Sequence, residues 1–209
     1  MYGIGFTFFL FKKLHQHVHN NKNTPIFLQD YVVRGNYIHN INIKHKERKI
    51  QFVKPKHLDY SVESAAVQNF NLTDANHLYA NFDFTIRSYN PNSLVSIYYD
   101  KVEIYVLYED QTLATNTIQS FFQSHKNVTR LQVRATAQTV ALYGSVPKDI
   151  RVEKSSEDIE LDLFLKAKIR FKVGRWKSKG RSMSVFCSPV LVNFSRDKSF
   201  YRTSCEVEI

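Results

Sequence analysis

Residues 159–173 read IELDLFLKAKIRFKV. Ile159, Leu161, Leu163, Leu165, Ala167, Ile169, Phe171 and Val173 are apolar, and Glu160, Asp162, Phe164, Lys166, Lys168, Arg170 and Lys172 stand between them. On a helix, positions two apart scatter around the axis, whereas on a strand they share one face. Eight apolar positions at period two therefore predict a long strand with one buried side. The same period recurs around this run. Phe82, Phe84 and Ile86 oppose Asp83, Thr85 and Arg87, while Val102, Ile104, Val106 and Tyr108 oppose Lys101 and Glu103. Leu131, Val133, Ala135 and Ala137 alternate with polar neighbours, and so do Thr203, Cys205, Val207 and Ile209. No 3.6-residue pattern of helical length competes. The reading is all-β, with about seven antiparallel strands each burying one face. Stacking two sheets as a β-sandwich is the economical closure, and a barrel is the second.

One strand halts at RSYNPNSLVSIYYD, residues 87–100. Pro91 lacks a backbone donor and biases Asn90 away from helical torsions, so a central strand cannot pass through it. Asparagine on either side satisfies turn backbone with its own amide. The stretch reads as a structural corner rather than an active-site element.

The chain has 209 residues, enough for one domain with a substantial core. Six glycines and five prolines exclude collagen-like and low-complexity classes. The net charge of +10 is uneven: residues 1–57 hold ten Lys/Arg against Asp30 and Glu47. Residues 1–50 therefore read as a basic, poorly ordered arm with short strands near 31–33 and 37–43. Residues 51–209 read as the β-domain. The apolar run MYGIGFTFFLF is too short to span a bilayer, which takes about 20 apolar residues. It also makes a poor signal peptide, lacking a basic lead and a small-residue cleavage site. His15, His17 and His19 would point one way on a strand, but no carboxylate or cysteine is near to complete a metal shell, so no metal is expected. Cys187 and Cys205 are too few for a disulfide scaffold. Paired, they would close a loop of roughly twenty residues worth about 3 kcal/mol in an oxidising compartment. The alternative is two buried thiols that never meet.

Five blocks resemble the plant type 2 late embryogenesis abundant domain of the harpin-induced-like (NDR/HIN-like) membrane proteins. They are VKPKHLDYSVESAAVQNFNL, YNPNSLVSIYYDKVEIYVLYEDQTLA, FFQSHKNVTRLQVRATA, LFLKAKIRFKVGRWKSKG and the cysteine-bearing SVFCSPVLVNF with YRTSCEVEI. They occur in the family's order across roughly 150 residues. The resemblance implies a fibronectin-like β-sandwich, a short cytosolic tail, one membrane span just before the lead-in, and a domain outside the plasma membrane. It also implies roles in defence and stress responses with no catalytic residues, and it carries the same two cysteine positions. Two departures stand out. The segment ahead of Val53 is polar and basic, so a soluble form is expected beside the anchored one, and Ser120 replaces the proline usual before the Phe-Gln block.

The chemistry of the residues points away from an enzyme. No nucleophile elbow or phosphate-cradling glycine loop is present, so neither catalytic residues nor a cofactor are expected. The strongest binding signal is a basic run: Lys166, Lys168, Arg170, Lys172, Arg175, Lys177, Lys179 and Arg181, with Trp176 among them and no acid. Its first four members share the exposed face of the long strand, one charge about every 6.6 Å. That array suits an anionic surface, a membrane or cell-wall polymer; the plain alternative is a solvated face balanced by acids on neighbouring strands. Nucleic acid fits less well, because stacking aromatics are not interleaved with these charges in sequence. Other proteins are further candidate partners. Asn71, Asn127 and Asn193 fit the N-glycosylation pattern. The expected function is a non-enzymatic defence or stress protein at the plasma membrane or cell-wall face. The rival is an intracellular desiccation protectant without a specific ligand.

Overall fold

The computed structural model describes residues 55–194 and 200–209 in full, and residues 29–34, 37–44 and 47–53 as paired strands. The last three segments are β1 (Gln29–Arg34), β2 (Tyr37–Lys44) and β3 (Glu47–Val53), an antiparallel sheet in the order β1-β2-β3. Two of them fall where short strands were expected; β3 was not anticipated. The histidines at 15, 17 and 19 and the apolar N-terminal run lie outside the described residues.

The main sheet begins with β4 (Asp59–Leu72), β5 (His77–Asn90) and β6 (Ser96–Tyr108). It continues with β7 (Gln111–Ile118), β8 (Phe121–Gln123) and β9 (Asn127–Ala141). A helix, α1 (Val146–Ser155), leads to β10 (Asp158–Val173), β11 (Trp176–Lys177), β12 (Arg181–Asn193) and β13 (Thr203–Glu208). Their order is β7-β6-β10-β12-β13-β4-β5-β9, with β8 on β6 and β11 on β10, every pairing antiparallel. The all-β antiparallel expectation holds. The strands form one continuous sheet bent nearly into a barrel, the second of the two closures the sequence admits. The join is β13: Thr203–Cys205 pair with β4, and Glu206–Glu208 pair with β12. One six-residue strand thus links two halves that would otherwise be separate layers.

The period-two readings correspond to burial residue by residue. All eight apolar positions of β10 are buried while their neighbours reach the surface. Strand β6 changes phase midway, Ile97 and Tyr99 giving way to Val102, Ile104, Val106 and Tyr108 as buried positions. The cause is a bulge at Asp100: Ile169 pairs with Tyr99 and Lys168 with Lys101, leaving Asp100 between them. Both Asp100 and Lys101 consequently point outward, as a bulge re-aims side chains.

Helix α1 corrects the expectation of no helix. Only Val146, Pro147 and Ile150 of its ten residues are buried, so its amphipathic stripe is too short to register as a periodic signal. Pro147 suits the first helical turn. The helix closes one end of the barrel, where the Tyr108 hydroxyl donates to Glu153 Oε1 at 2.7 Å. Burial, reinforced by that carboxylate, pushes the Tyr108 phenol well up.

The Asn-Pro-Asn corner lies at the other end, and it is a buried polar cluster. Asn90 is fully buried, and its amide donates to Val95 O and Ser124 O. Its Oδ1 accepts from the backbone and side-chain nitrogens of Asn92. Asn92 in turn exchanges hydrogen bonds with the lead-in, accepting from Lys56 N at 2.7 Å and donating to Lys56 O at 3.1 Å. Lys126 N closes on Asn92 O. Buried amides must be satisfied, and these are satisfied by tying together the lead-in, the β5–β6 corner and the β8–β9 turn.

Candidate functional site

Strand β10 places Lys166, Lys168, Arg170 and Lys172 on the outer face of the sheet between β6 and β12. Gly174, with φ +57°, turns the chain through Arg175 into β11, and Arg181 opens β12. Lys172 lies directly opposite Lys177, and Val173 opposite Trp176. Like charges in directly opposed positions destabilise a strand pair, yet among the described residues neither lysine has an ion-pair partner.

Aromatic rings partly offset that repulsion. Tyr98 of β6 carries Lys177 Nζ at 4.4 Å and Lys172 Nζ at 5.9 Å from its centroid, with the Arg170 guanidinium at 5.8 Å. Phe122 of β8 packs 4.7 Å from Tyr98 and takes Lys172 at 5.4 Å. Farther along, Lys166 lies over Tyr105 and Phe164. Cations and rings therefore do interleave on this face, Phe164 along β10 and Tyr98, Tyr105 and Phe122 from neighbouring strands. That is why the basic run alone did not reveal the last three; only strand register brings Tyr98 and Phe122 beside it.

Carboxylates balance the middle of the face and not its end. Asp100, turned outward by the bulge, holds Arg170 at 2.5 Å. Glu103 stands opposite Lys166 and bonds Lys101 at 2.6 Å. The Lys101 ammonium holds the Glu103 carboxyl below its ordinary range, and Glu103 raises Lys101 in return. Glu208 lies level with Ser184, the β12 partner of Lys166. A shallow groove of about 990 Å³ runs here, bounded by Phe164, Lys166, Lys168, Ser182 and Glu208. Its rim carries both signs of charge. Lys168 stretches over Gly180, where a Cβ would meet its Cε at 2.9 Å.

The other residues singled out from sequence lie elsewhere. Cys187 of β12 and Cys205 of β13, one residue beyond the Phe186–Glu206 pair, are joined Sγ to Sγ across the strands that link the two halves. Asn71 near the end of β4 and Asn127 at the start of β9 are exposed, whereas Asn193 is half-buried opposite Asp158. Among the described residues no three His, Cys, Asp or Glu side chains gather as metal ligands do. Among the same residues no helix is long and apolar enough to cross a membrane.

A polar lattice that sequence reasoning missed sits beneath the site. Tyr60 OH donates to Tyr99 OH at 2.8 Å, and Tyr99 OH donates to Gln123 Oε1 at 3.1 Å. Gln123 Nε2 donates to Ser88 O and Asn127 O. Burial raises both phenols, Tyr60 most. These groups keep their protons and act as fixed struts. The Phe121-Phe122-Gln123 block was the available signal: Phe121 stacks on Tyr99 at 4.2 Å and Phe122 faces outward, while Gln123 is buried.

The family model for late embryogenesis abundant protein matches residues 85–188, from the second half of β5 to Ser188, just past the cysteine of β12. An uncharacterized Arabidopsis thaliana protein, At1g08160, is 32% identical over 75% of this chain and 72% of its own length. NDR1/HIN1-like protein 3 of the same plant is 33% identical over 74% of this chain and 69% of its own. NDR1/HIN1-like protein 10 is 27% identical over 73% and 68%. With its corner, Phe-Gln block, long basic strand and cysteine pair in one frame, the chain belongs to the type 2 late embryogenesis abundant, NDR1/HIN1-like family.

Proposed function

We propose that this is a non-enzymatic plant stress- or defence-associated protein whose β-domain docks on an anionic face, plasma-membrane lipid or cell-wall polymer, through the basic side of β10. The carrying observation is charge balance: of the four cations on β10, only Arg170 is ion-paired among the described residues. The extracellular side fits the Cys187–Cys205 pairing, because disulfides persist in oxidising compartments. Each Lys or Arg that reaches an anionic headgroup layer contributes about 1 kcal/mol.

The test is charge reversal of Lys168, Arg170 and Lys172 to Glu, with binding measured to phosphatidylserine-containing liposomes and to polygalacturonate. Loss of about a hundredfold or more on one of the two ligands is expected, by roughly 1 kcal/mol for each of the three charges. Unchanged binding to both would end the proposal.

A further inference from the structure

The two ends of the barrel carry opposite charge. The lead-in end consists of residues 55–58, 88–98, 119–128 and 172–180, joined by the Lys56–Asn92, Lys126–Asn92 and His125–Ser96 hydrogen bonds and by the Ser96–Lys172–Lys177 register. These segments hold Lys56, Lys126, Lys172, Arg175, Lys177 and Lys179 and no Asp or Glu, and the one carboxylate level with them on β4, Asp59 opposite Tyr89, is neutralised by Arg87 at 2.9 Å. The far end consists of residues 73–76, 109–111 and 142–158, joined by Arg151 to Thr73 and Asn76 and by Gln111 to Tyr143. It holds seven Asp/Glu against three Lys/Arg. Strands of 13 to 16 residues separate the poles, about 45 Å along an extended chain.

Apolar side chains are exposed at the basic pole. Leu94, in the corner loop, is 48% exposed, and Phe122, against Lys172, is 43% exposed. A large apolar side chain left in water beside cations is the pairing that interfacial membrane segments use: charge draws the surface in and the apolar group enters the headgroup boundary. A polysaccharide would be better served by the groove along the middle of the face, but that groove's rim carries Asp100, Glu103 and Glu208. Tyr143 and Val152 are also exposed, but among the acids of the far pole, which an anionic bilayer repels.

We propose that the lead-in end of the barrel seats end-on upon an anionic lipid bilayer, with Lys172, Arg175 and Lys177 against headgroup phosphates and Leu94 and Phe122 in the interface. This rests on the reading of the basic face as an anionic-surface site and commits that site to lipid and to one pole. The barrel then stands upright, its acidic pole outward.

Trp176 is the chain's single tryptophan and sits in the basic turn, so its fluorescence reports contact at this pole. Residues 1–57 are themselves strongly basic, which makes co-sedimentation alone indecisive. The full chain is titrated with phosphatidylcholine vesicles containing 30% phosphatidylserine, with and without brominated acyl chains, and in parallel with polygalacturonate. Bromolipid quenching of Trp176 is expected in anionic vesicles and not in pure phosphatidylcholine. Lys172→Ala with Lys177→Ala should weaken the quenching titration about 25-fold, near fivefold per cation. The matched pair Lys166→Ala and Lys168→Ala should cost much less. Leu94→Ser with Phe122→Ser should abolish quenching, with circular dichroism confirming that each variant is folded. Vesicle binding without Trp176 quenching, or equal losses for the two lysine pairs, would overturn the end-on seating. Binding to polygalacturonate with vesicles ignored would sink this inference and leave the anionic-surface reading standing. Binding to neither would remove both.

Discussion

Gln123 has no solvent exposure and four polar contacts: the hydroxyls of Tyr99 and Ser88 donate to its Oε1, and its Nε2 donates to two backbone carbonyls. A side chain of similar size without these groups would strand two hydroxyls and two carbonyls inside the barrel. Each stranded buried group costs about 1–3 kcal/mol, although the hydroxyls can rotate towards one another. Gln123→Leu is therefore expected to lower the unfolding free energy by about 3 kcal/mol in urea titration, at unchanged m-value. A loss below 1 kcal/mol would mean that water reaches these groups and the lattice is not a strut. The candidate site gains from the arrangement, because Phe122, the residue before it, is held outward against Tyr98 and Lys172.

At the scale of elements, β13 is short and edge-like, yet it joins the two halves of the sheet by pairing with β4 over Thr203–Cys205 and with β12 over Glu206–Glu208. Six residues hold little by hydrogen bonding alone, so the Cys187–Cys205 link, closing a separation of 18 residues, bears on the whole sheet. Chain entropy puts such a loop at about 3 kcal/mol. Cys187→Ala with Cys205→Ala should lower Tm by about 6–12 °C in a domain of this size, and dithiothreitol should lower the parent by the same amount and the variant not at all. An equal response of both proteins to dithiothreitol would exclude the pairing. Elements such as β5, β9 and β10 were legible in the sequence because one buried face imposes period two over many residues. Strand β6 was legible in pieces, its phase change at Asp100 being the bulge itself. Helix α1 was not legible, since three buried residues make no pattern. The basic half of the candidate site could be read from Lys166 to Arg181; of its aromatics only Trp176 was read there, because Tyr98 and Phe122 meet those lysines only through inter-strand register. Nor does alternation fix the number of layers. That followed from a split pairing in β13 which local sequence does not encode.

For the molecule as a whole, the sheet has a seam. Strand β10 has backbone-paired neighbours on both sides, whereas β7 and β9 end the strand order with one each. The two edges approach one another, and the Asn116 side chain donates to Arg134 O across the gap. Arg134 is anchored on its own side by Asp83 at 2.6 Å. A barrel closed by side chains in place of a ladder opens locally before it unfolds globally, since those edges break few cooperative hydrogen bonds when they part. Native-state hydrogen exchange should therefore divide the amides sharply. Those of Leu161–Ile169 should exchange only through global unfolding, with free energies that follow urea at the full m-value. The seam-facing amides of β7 and β9 should exchange through small openings that barely respond to denaturant. Alternate residues of β9 should differ as well, because every second amide points to β5 and is protected by it. Equal protection of both sets across β7 and β9 would show instead a ladder that closes the barrel in solution. Lys172, Lys177 and Tyr98 are held by the β10–β11 and β10–β6 pairings rather than by the seam, so openings between β7 and β9 leave their cluster intact. The end-on seating proposed above would therefore use a contact surface that stays rigid while the seam breathes.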